Sequence, residues 1–520
     1  MNPPTVDVLF LLEGTYPYVR GGVSSWIHEI IKASADLTFG IMFIGASPEQ
    51  TDVMHYQLPE NVVYLETCFL SQSLQPHTHK SARSDANTFE VMEAFHHQMH
   101  EAHPDGVAPD TLSRVYRMLR EGHQLNHASF LHTQEAMEMV NNMYREYSTE
   151  ASYLNYFWTV RSMHAPMFSL AKAAATIPSC RMLHSLSTGY AGFLGALIKQ
   201  QRPELYFLLS EHGIYTKERK IDLAQAQWID DRQIPSYTGL DHSTGYVRSL
   251  WIQFFEFLGK ATYMAADQIT CLYEGNRLRQ ITEGAPPEKI RLVPNGISVT
   301  RFQPALKRRT DTIPMVIGLA GRVVPIKDVK TFIRAIDIAR QTLPDVEGWI
   351  LGPMEEDPTY VEECFNLVEQ LQLGQQLRFC GFQSLPDTVH QLGLLVLTSI
   401  SEAQPLVVLE GFAAGIPTVC TDVGSCRELV LGGSNPIDQA IGAAGAIVGI
   451  ADPQAFADAC TGLLANPERW YAAQKAALNR VHRWYTDEQM FRGYHQLYQQ
   501  GMAYHARQVT SGAATCEQVS

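Results

Sequence analysis

The sequence predicts an α/β protein of two large doubly wound domains, and three features carry that expectation. The chain has 520 residues, too many for one ordinary hydrophobic core. Short apolar runs alternate with amphipathic stretches along most of it, as strands joined by crossover helices do. The segments richest in polar, chemistry-bearing side chains fall directly after such runs, at the strand ends where parallel sheets gather ligands.

Composition narrows the function classes. A hydrophobic share of 45% and a charged share of 18% belong to a globular chain, not to a disordered or coiled-coil one. The balance of 40 basic against 54 acidic residues gives a net charge of -14, which repels nucleic acid and anionic lipid. The nine cysteines are odd in number and form no CxxC pair, so they read as buried thiols in a reducing compartment. The opening MNPPTVDVLFLLEG lacks a basic region before its apolar run, so no signal peptide is expected. The longest apolar stretches, such as Ala191 to Ile198 and Ala440 to Ile450, fall short of the roughly 20 residues of a spanning helix. The chain is therefore expected to be cytoplasmic, with no direct membrane span.

In chain order, Val6 to Leu12 is a buried-strand candidate, followed by a glycine-containing loop and a helix with the stripe Val23, Trp26, Ile27, Ile30 and Ile31. Residues 71–150 are rich in His, Gln and Met at helical spacing and predict a largely helical insertion. Strands return at Arg181 to Leu183 and Tyr206 to Ser210, and a long helix follows with Trp251, Phe254, Phe255 and Leu258 on one face. After the turn Val293-Pro294-Asn295-Gly296, the basic stretch Pro304 to Arg309 predicts the linker, so the first domain is expected over 1–300 and the second over 301–485. Met315 to Ala320, Gly348 to Leu351, Leu377 to Phe379, Leu394 to Thr398 and Thr418 to Thr421 predict the second sheet. Residues 486–520 form a last helix with Phe491, Tyr494 and Tyr498 on one stripe, ending in a frayed tail.

The most informative segment runs from Ser399 to Glu410, between a strand and a helix. Pro405 suits a first helical turn, and the bare N–H groups of that start, around Leu406 and Val407, can seat a phosphate. Glu410 has only apolar neighbours three and four residues away. It is either paired internally or hydrogen-bonds a ligand such as a ribose diol. Glu402 and Glu410, eight apart, can serve one site. Arg322 and Lys327 follow another strand, where two cations offset charge on a departing diphosphate. Gly21-Gly22 precedes the first helix and lets a phosphate or sugar approach the backbone, but departs from GxGxxG and so does not point to a nicotinamide or flavin.

The run from His184 through Thr188 and Tyr190 to Gly192 ends a strand and reads either as shaping an acceptor side or as a helix cap at Ser187 or Thr188. Leu208 to Arg219 ends another strand with Glu211, His212 and Tyr215. The loop Thr421 to Ser425 reads equally as a base or phosphate contact or as an ordinary turn. His77 with His79, and His96 with His100, lack an HExxH-type acid and read as surface residues, so no metal site is expected.

Glu402-x7-Glu410 followed by Gly411-Phe412-Ala413-Ala414-Gly415-Ile416-Pro417 resembles the donor motif of the retaining family 4 glycosyltransferases of the GT-B fold. That resemblance implies two Rossmann-like domains facing a cleft and a last helix crossing back to the first domain. It implies donor binding by Gly21, Gly22, Arg322, Lys327, Glu402, Pro405, Leu406, Val407 and Glu410. His212, Arg322, Lys327 and Glu402 would serve catalysis, and His184, Thr188, Tyr190, Glu211 and Tyr215 the acceptor side. Glu402 would approach the donor sugar, Glu410 its ribose, and His212 would hydrogen-bond the sugar.

The motifs Leu11 to Pro17, Gly21 to Trp26, Ser187 to Gly192 and Glu211 to Arg219 are similar, more narrowly, to the cytoplasmic glycosyltransferases of bacterial Pel exopolysaccharide systems, over most of the chain. This implies a UDP-sugar donor, a growing polysaccharide as acceptor, and recruitment to the inner membrane by polysaccharide synthase components. No cofactor or metal is expected, since the sequence has no DxD motif flanked by strand and turn. A nucleotide-sugar epimerase of the same fold and a non-catalytic subunit that senses the UDP-sugar remain as alternatives.

Overall fold

The computed structural model describes residues 5–70, 86–100, 108–121, 130, 133–147, 152–226, 229 and 245–517. The chain forms two compact units, one of Met1–Thr270, Leu278–Arg291 and Tyr494–Ser520, the other of Cys271–Arg277 and Leu292–Gly493. Each is built on its own sheet in the doubly wound α/β manner.

The sheet of the first unit contains β1 (Val6–Glu13), β2 (Phe39–Gly45), β3 (Val62–Phe69), β4 (Cys180–Ser185), β5 (Tyr206–Glu211), β6 (Gln268–Cys271) and β7 (Ile290–Leu292). Their order is β3-β2-β1-β4-β5-β6-β7. β1 pairs in parallel with both β2 and β4, which places Val8 opposite Phe39 on one side and Met182 on the other. A central strand covered on both faces must be apolar throughout, so Val6 to Leu12 is a nearly unbroken hydrophobic run. The helix Gly22–Ala33 buries Trp26, Ile27, Ile30 and Ile31, the stripe expected from its spacing.

Between β3 and β4 run the helices Ala86–His100, Pro109–Glu121, Gln134–Tyr147 and Tyr153–Thr176, so the described part of the expected insertion is helical. Their apolar faces, including Phe95, Val115, Met143 and Val160, join the same core as Leu9, Leu11 and Leu183. His96, read from sequence as a surface residue, is instead buried, with its ring 4.7 Å from that of His164. The helix is covered on more than one side, so spacing alone could not tell which face turns outward. His77, His79 and the side chain of His100 lie outside the described residues.

The opposite face of the sheet is closed by the helix Asp487–Glu517, whose residues from Tyr494 onward belong to the first unit. Tyr494, Leu497 and Tyr498 are fully covered there. The Tyr494 ring meets Trp26 at 4.8 Å, and its hydroxyl lies 3.2 Å from that of Thr270.

The second sheet contains β8 (Val316–Ala320), β9 (Glu347–Leu351), β10 (Leu377–Gly381), β11 (Leu394–Leu397), β12 (Thr418–Thr421) and β13 (Gly445–Val448), in the order β10-β9-β8-β11-β12-β13. All its pairs are parallel. Alternate side chains enter different cores: Ile317, Leu319, Leu394 and Val396 meet Phe332, Ile336 and Phe456, while Leu395, Leu397 and Cys420 meet Phe302, Leu409 and Phe412.

The stretch expected as a linker, Pro304 to Arg309, is helix over most of its length. Pro304 sits inside the helix Val299–Arg308, which buries Val299, Phe302 and Ala305. Burial of that stripe outweighs the hydrogen bond the proline forfeits. The units accordingly divide at Arg291 and Leu292, ahead of the expected boundary. No described helix is long and apolar enough to cross a membrane.

The Tyr498 hydroxyl lies 3.0 Å from Nδ1 of buried His184. Replacing Tyr498 by Phe keeps the ring and strips that nitrogen of its partner, at a cost of about 1–3 kcal/mol. A fall in the urea midpoint with an unchanged denaturant slope is the expected outcome.

Candidate active site

In the second sheet the strand order reverses between β8 and β11, and at such a switch point the loops leaving the two carboxyl ends diverge and open a ligand crevice. The loop after β8 carries Arg322 and Lys327, and the loop after β11 carries Ser399 and Glu402. Lys327 Nζ donates to Glu402 Oε1 at 2.5 Å, and Ser399 Oγ donates to the same oxygen at 2.6 Å. The side chains of Lys327 and Glu402 are 22% and 15% exposed, so the pair is shielded enough to hold its geometry.

The surrounding backbone fixes this contact. Thr398 Oγ1 donates to the Lys327 carbonyl at 2.8 Å, and Ile400 N to the Ile326 carbonyl at 2.9 Å. Thr421 Oγ1 donates to the Ser399 carbonyl at 2.7 Å, and Ser425 N to the Ala403 carbonyl at 2.8 Å. Gly424 takes φ of 55°, and a Cβ there would lie 2.5 Å from the Glu402 carbonyl oxygen. The loop Thr421 to Ser425 therefore buttresses the Glu402 loop. Gln404 Oε1 accepts from Asn295 N at 2.6 Å and anchors the other side.

The helix Leu406–Ala413 begins after Pro405, the residue just before its first turn, and no side chain caps it. By contrast, the helix Val329–Thr342 is already occupied at its start: Asp328, in the left-handed conformation at φ of 44°, accepts from Thr331 N. Of these two helix starts, only the one at Leu406 and Val407 is left open to an anion.

Arg322 and Glu410 stand apart from the bridge. Arg322 donates to both carboxylate oxygens of Glu356 at 2.6 Å, but each side chain is 54% exposed, so this pair is worth little and exchanges readily. Glu410 is half-buried in the helix Leu406–Ala413, and burial pushes its carboxyl up to about 7, with Arg301 opposing. Of the four side chains expected to act on the donor, then, the structure joins only Lys327 and Glu402 directly.

In the first unit, Gly21 and Gly22 open the uncapped helix Gly22–Ala33, and a Cβ added at either would meet nothing within 4 Å. Packing within the chain does not demand glycine there. His212 is buried with its ring edge against Trp26 at 4.6 Å, and burial lowers it to about 4, so it is neutral near pH 7.

The residues assigned to an acceptor side form a buried network instead of a surface. His184 has no exposure; its Nε2 lies 2.8 Å from Ser210 Oγ, and burial holds it well below the usual histidine range. Glu211 accepts from Thr188 Oγ1, Tyr215 N, Tyr263 Oη and Gln280 Nε2, which leaves little capacity for a ligand. Burial raises it to about 7. Tyr215 donates to Glu13 Oε1 at 2.9 Å, and its ring lies where a Cβ on Gly189 would be, at 2.3 Å. Tyr190, by contrast, is only half-buried. His184, Thr188, Glu211 and Tyr215 are thus buried and hydrogen-bonded within the unit.

Neither Ser187 nor Thr188 caps the helix Tyr190–Gln201; Glu13 accepts from Ala191 N at 3.4 Å and takes that place. Sequence reasoning missed Glu13, Ser399, Gln404 and Glu356. For Glu13 the signal was available, as an acid closing an apolar strand. Gln404 and Glu356 act through partners distant in the chain, and Ser399 through Glu402 of its own loop, a short-range contact that many serines in turns make.

Two doubly wound α/β units, the second with a cation–carboxylate bridge at its switch point, define the class, and the known proteins this chain resembles agree with it. The chain belongs to the family described as "Domain of unknown function (DUF3492)", which matches residues 6–288, more than half of its length. Residues 314–466 match the family described as "Glycosyl transferases group 1". The chain is 27% identical over 237 residues to the D-inositol 3-phosphate glycosyltransferase 1 of Catenulispora acidiphila, a match covering 42% of this chain and 51% of that protein. It is 29% identical over 217 residues to the lipopolysaccharide core biosynthesis mannosyltransferase LpsB of Rhizobium meliloti, covering 39% and 59%. The chain thus spans only about half the length of the curated relatives it matches.

Among solved structures, Anabaena Alr3699/HepE in complex with UDP is similar with a TM-score of 0.56 at 13% identity, covering 95% of this chain and 100% of that one. Sucrose-phosphate synthase from Thermosynechococcus elongatus gives 0.55 at 17%, covering 96% and 99%. These likenesses establish the fold, that of the GT-B glycosyltransferases.

The raised Glu410 carboxyl gives a pH test. The folded chain holds this proton more tightly than the unfolded chain, whose glutamate titrates near 4.5. The resulting stabilisation is complete below that value and is lost as pH rises through about 7. Urea midpoints at pH 5 and pH 8 should therefore fall further in the wild type than in Glu410→Gln; parallel behaviour would contradict the assignment.

Proposed function

We propose that this protein is a retaining glycosyltransferase whose second unit holds a UDP-sugar donor. The observation that carries this reading is the Lys327–Glu402 bridge at the switch point of the second sheet, together with the uncapped helix start at Leu406. A diphosphate would lie against Lys327 and the N–H groups of Leu406 and Val407, and Arg322 would leave Glu356 for it. Glu402 would accept hydrogen bonds from the donor sugar's hydroxyls. Glu410, which no described side chain satisfies with a hydrogen bond, would accept from the ribose diol.

In the proposed reaction the bond between the anomeric carbon and the diphosphate oxygen breaks as the acceptor hydroxyl bonds to that carbon from the same face. The acceptor's proton passes to the departing diphosphate oxygen. Lys327 and Arg322 balance the charge that develops there, so transfer is expected to proceed in the presence of a chelator. Gly21, Gly22, Tyr190 and neutral His212 are proposed to contact sugar or phosphate.

At finer resolution we propose a PelF-like role: assembly of a Pel-type exopolysaccharide at the cytoplasmic side of the inner membrane, beside synthase components. The motifs Gly21 to Trp26 and Glu211 to Arg219 motivate it.

Thermal unfolding in a panel of UDP-, ADP- and GDP-sugars tests the donor. A UDP-sugar at a hundred times its dissociation constant should stabilise the chain by about 2.7 kcal/mol, and indifference to every member of the panel would overturn the proposal. Lys327→Ala should lower kcat by about 10²–10³ in a protein that still folds. Formation of a new isomer of the UDP-sugar without transfer would instead indicate an epimerase, and polymer output unaffected by Lys327→Ala a sensing subunit.

A further inference from the structure

The first sheet has a switch point of its own, between β1 and β4, and open α/β sheets gather ligands outside such points. Glu13 closes β1 and Glu211 closes β5, and the two carboxylates differ in what they have left to offer. Glu211 is 1% exposed and accepts from four donors, a full complement. Glu13 accepts from Tyr215 Oη at 2.9 Å and Ala191 N at 3.4 Å, and the Tyr190 N–H also bonds to it. At least one of its roughly four lone-pair positions stays open. Glu13 is only half-buried, and the next residue borders empty space: a Cβ on the exposed Gly14 would meet nothing within 4 Å.

Capping the helix Tyr190–Gln201 does not by itself call for a carboxylate. Ser187 stands three residues before that helix, and its buried hydroxyl has no partner among the described residues. A neutral hydroxyl caps a helix at little cost, whereas a carboxylate withdrawn from water is expensive. The cost is visible: burial raises the Glu13 carboxyl, and Arg219, paired with Asp222 at 2.9 Å, offsets only part of the rise. Tyr190 has the same character, half open to solvent yet with its hydroxyl raised by burial and by Glu13. Its ring is braced edge-on by Phe255 at 6.2 Å. Groups that keep some open surface while protein surrounds them line a concavity, the usual setting of a ligand site.

The charges select the ligand. A phosphate is disfavoured because Glu13 already holds the helix start, and an ammonium because Arg219 stands near. A neutral sugar hydroxyl meets neither objection and supplies the donor that Glu13 can still accept. We propose that Glu13 is a saccharide-binding residue of the first unit, accepting from a sugar hydroxyl held at the β1/β4 switch point with the Tyr190 phenol beside it. That this sugar is the acceptor rests on the glycosyltransferase reading, whereas its binding does not.

Calorimetric titration of the full chain with two neutral probes, the tetramer of N-acetylglucosamine and maltotetraose, tests the proposal. At least one should bind the wild type. Glu13→Gln keeps an oxygen for Tyr215 and for the helix start, and should weaken that probe about tenfold or more while UDP-sugar thermal protection is unchanged. Tyr190→Phe removes only a hydroxyl, and should weaken the same probe in a chain with an unaltered urea midpoint. A merely structural Glu13 would lower the urea midpoint of Glu13→Gln and leave probe affinity as it was. That result, or failure of both probes to bind, would overturn the assignment and leave the donor reading intact. Probe binding that depends on Glu13 in a chain no nucleotide sugar protects would uphold the assignment and remove the donor reading.

Discussion

The contact between Lys327 and Glu402 ties together two loops that the topology of the second sheet would otherwise send apart. A charge pair withdrawn from water loses hydration that its mutual attraction only partly restores, so it keeps its geometry only where the backbone holds it. Here the backbone does: Thr398 bonds back to Lys327, Ile400 to Ile326, Thr421 to Ser399, and Ser425 to Ala403. Three strand-end segments are thereby fixed to one another before any ligand arrives. Such preorganisation lets a site stabilise charge without first reorganising itself.

The helices that open near the two switch points show a division of labour. In the second unit, Asp328 fills the start of the helix after β8, and the helix after β11 stays uncapped. In the first unit the pattern is reversed: Glu13 fills the start of the helix after β4, and the helix after β1 stays uncapped behind Gly21. Since a helix start attracts negative charge, a carboxylate already seated there makes the position inhospitable to a phosphate. Each unit therefore offers its open amides on a different side of its own switch point.

The sequence made the sheet legible because a parallel strand buried on both faces has to be an unbroken apolar run, as in Val6 to Leu12 and Leu394 to Leu397. The described helices of the insertion and the aromatic stripe of the last helix were readable from spacing alone. Pro304 misled because a local breaker signal was overruled by the burial of Val299, Phe302 and Ala305. The burial of His184, Thr188, Glu211 and Tyr215 was not legible, because a polar residue closing a strand looks the same whether a ligand or a helix lies over it. Lys327 and Glu402 were identified as individuals, but their direct bridge spans 75 positions, and no pattern along the chain reports it.

The ownership of the last helix bears on how the molecule is made. Its residues from Tyr494 complete the first unit, covering Trp26 and the His184 side of a sheet whose central strands lie some three hundred residues or more earlier in the chain. Those early strands consequently wait, with one apolar face uncovered, until some three hundred further residues have left the ribosome. A fragment cut at the division near residue 291 would lack the helix that covers this part of the sheet.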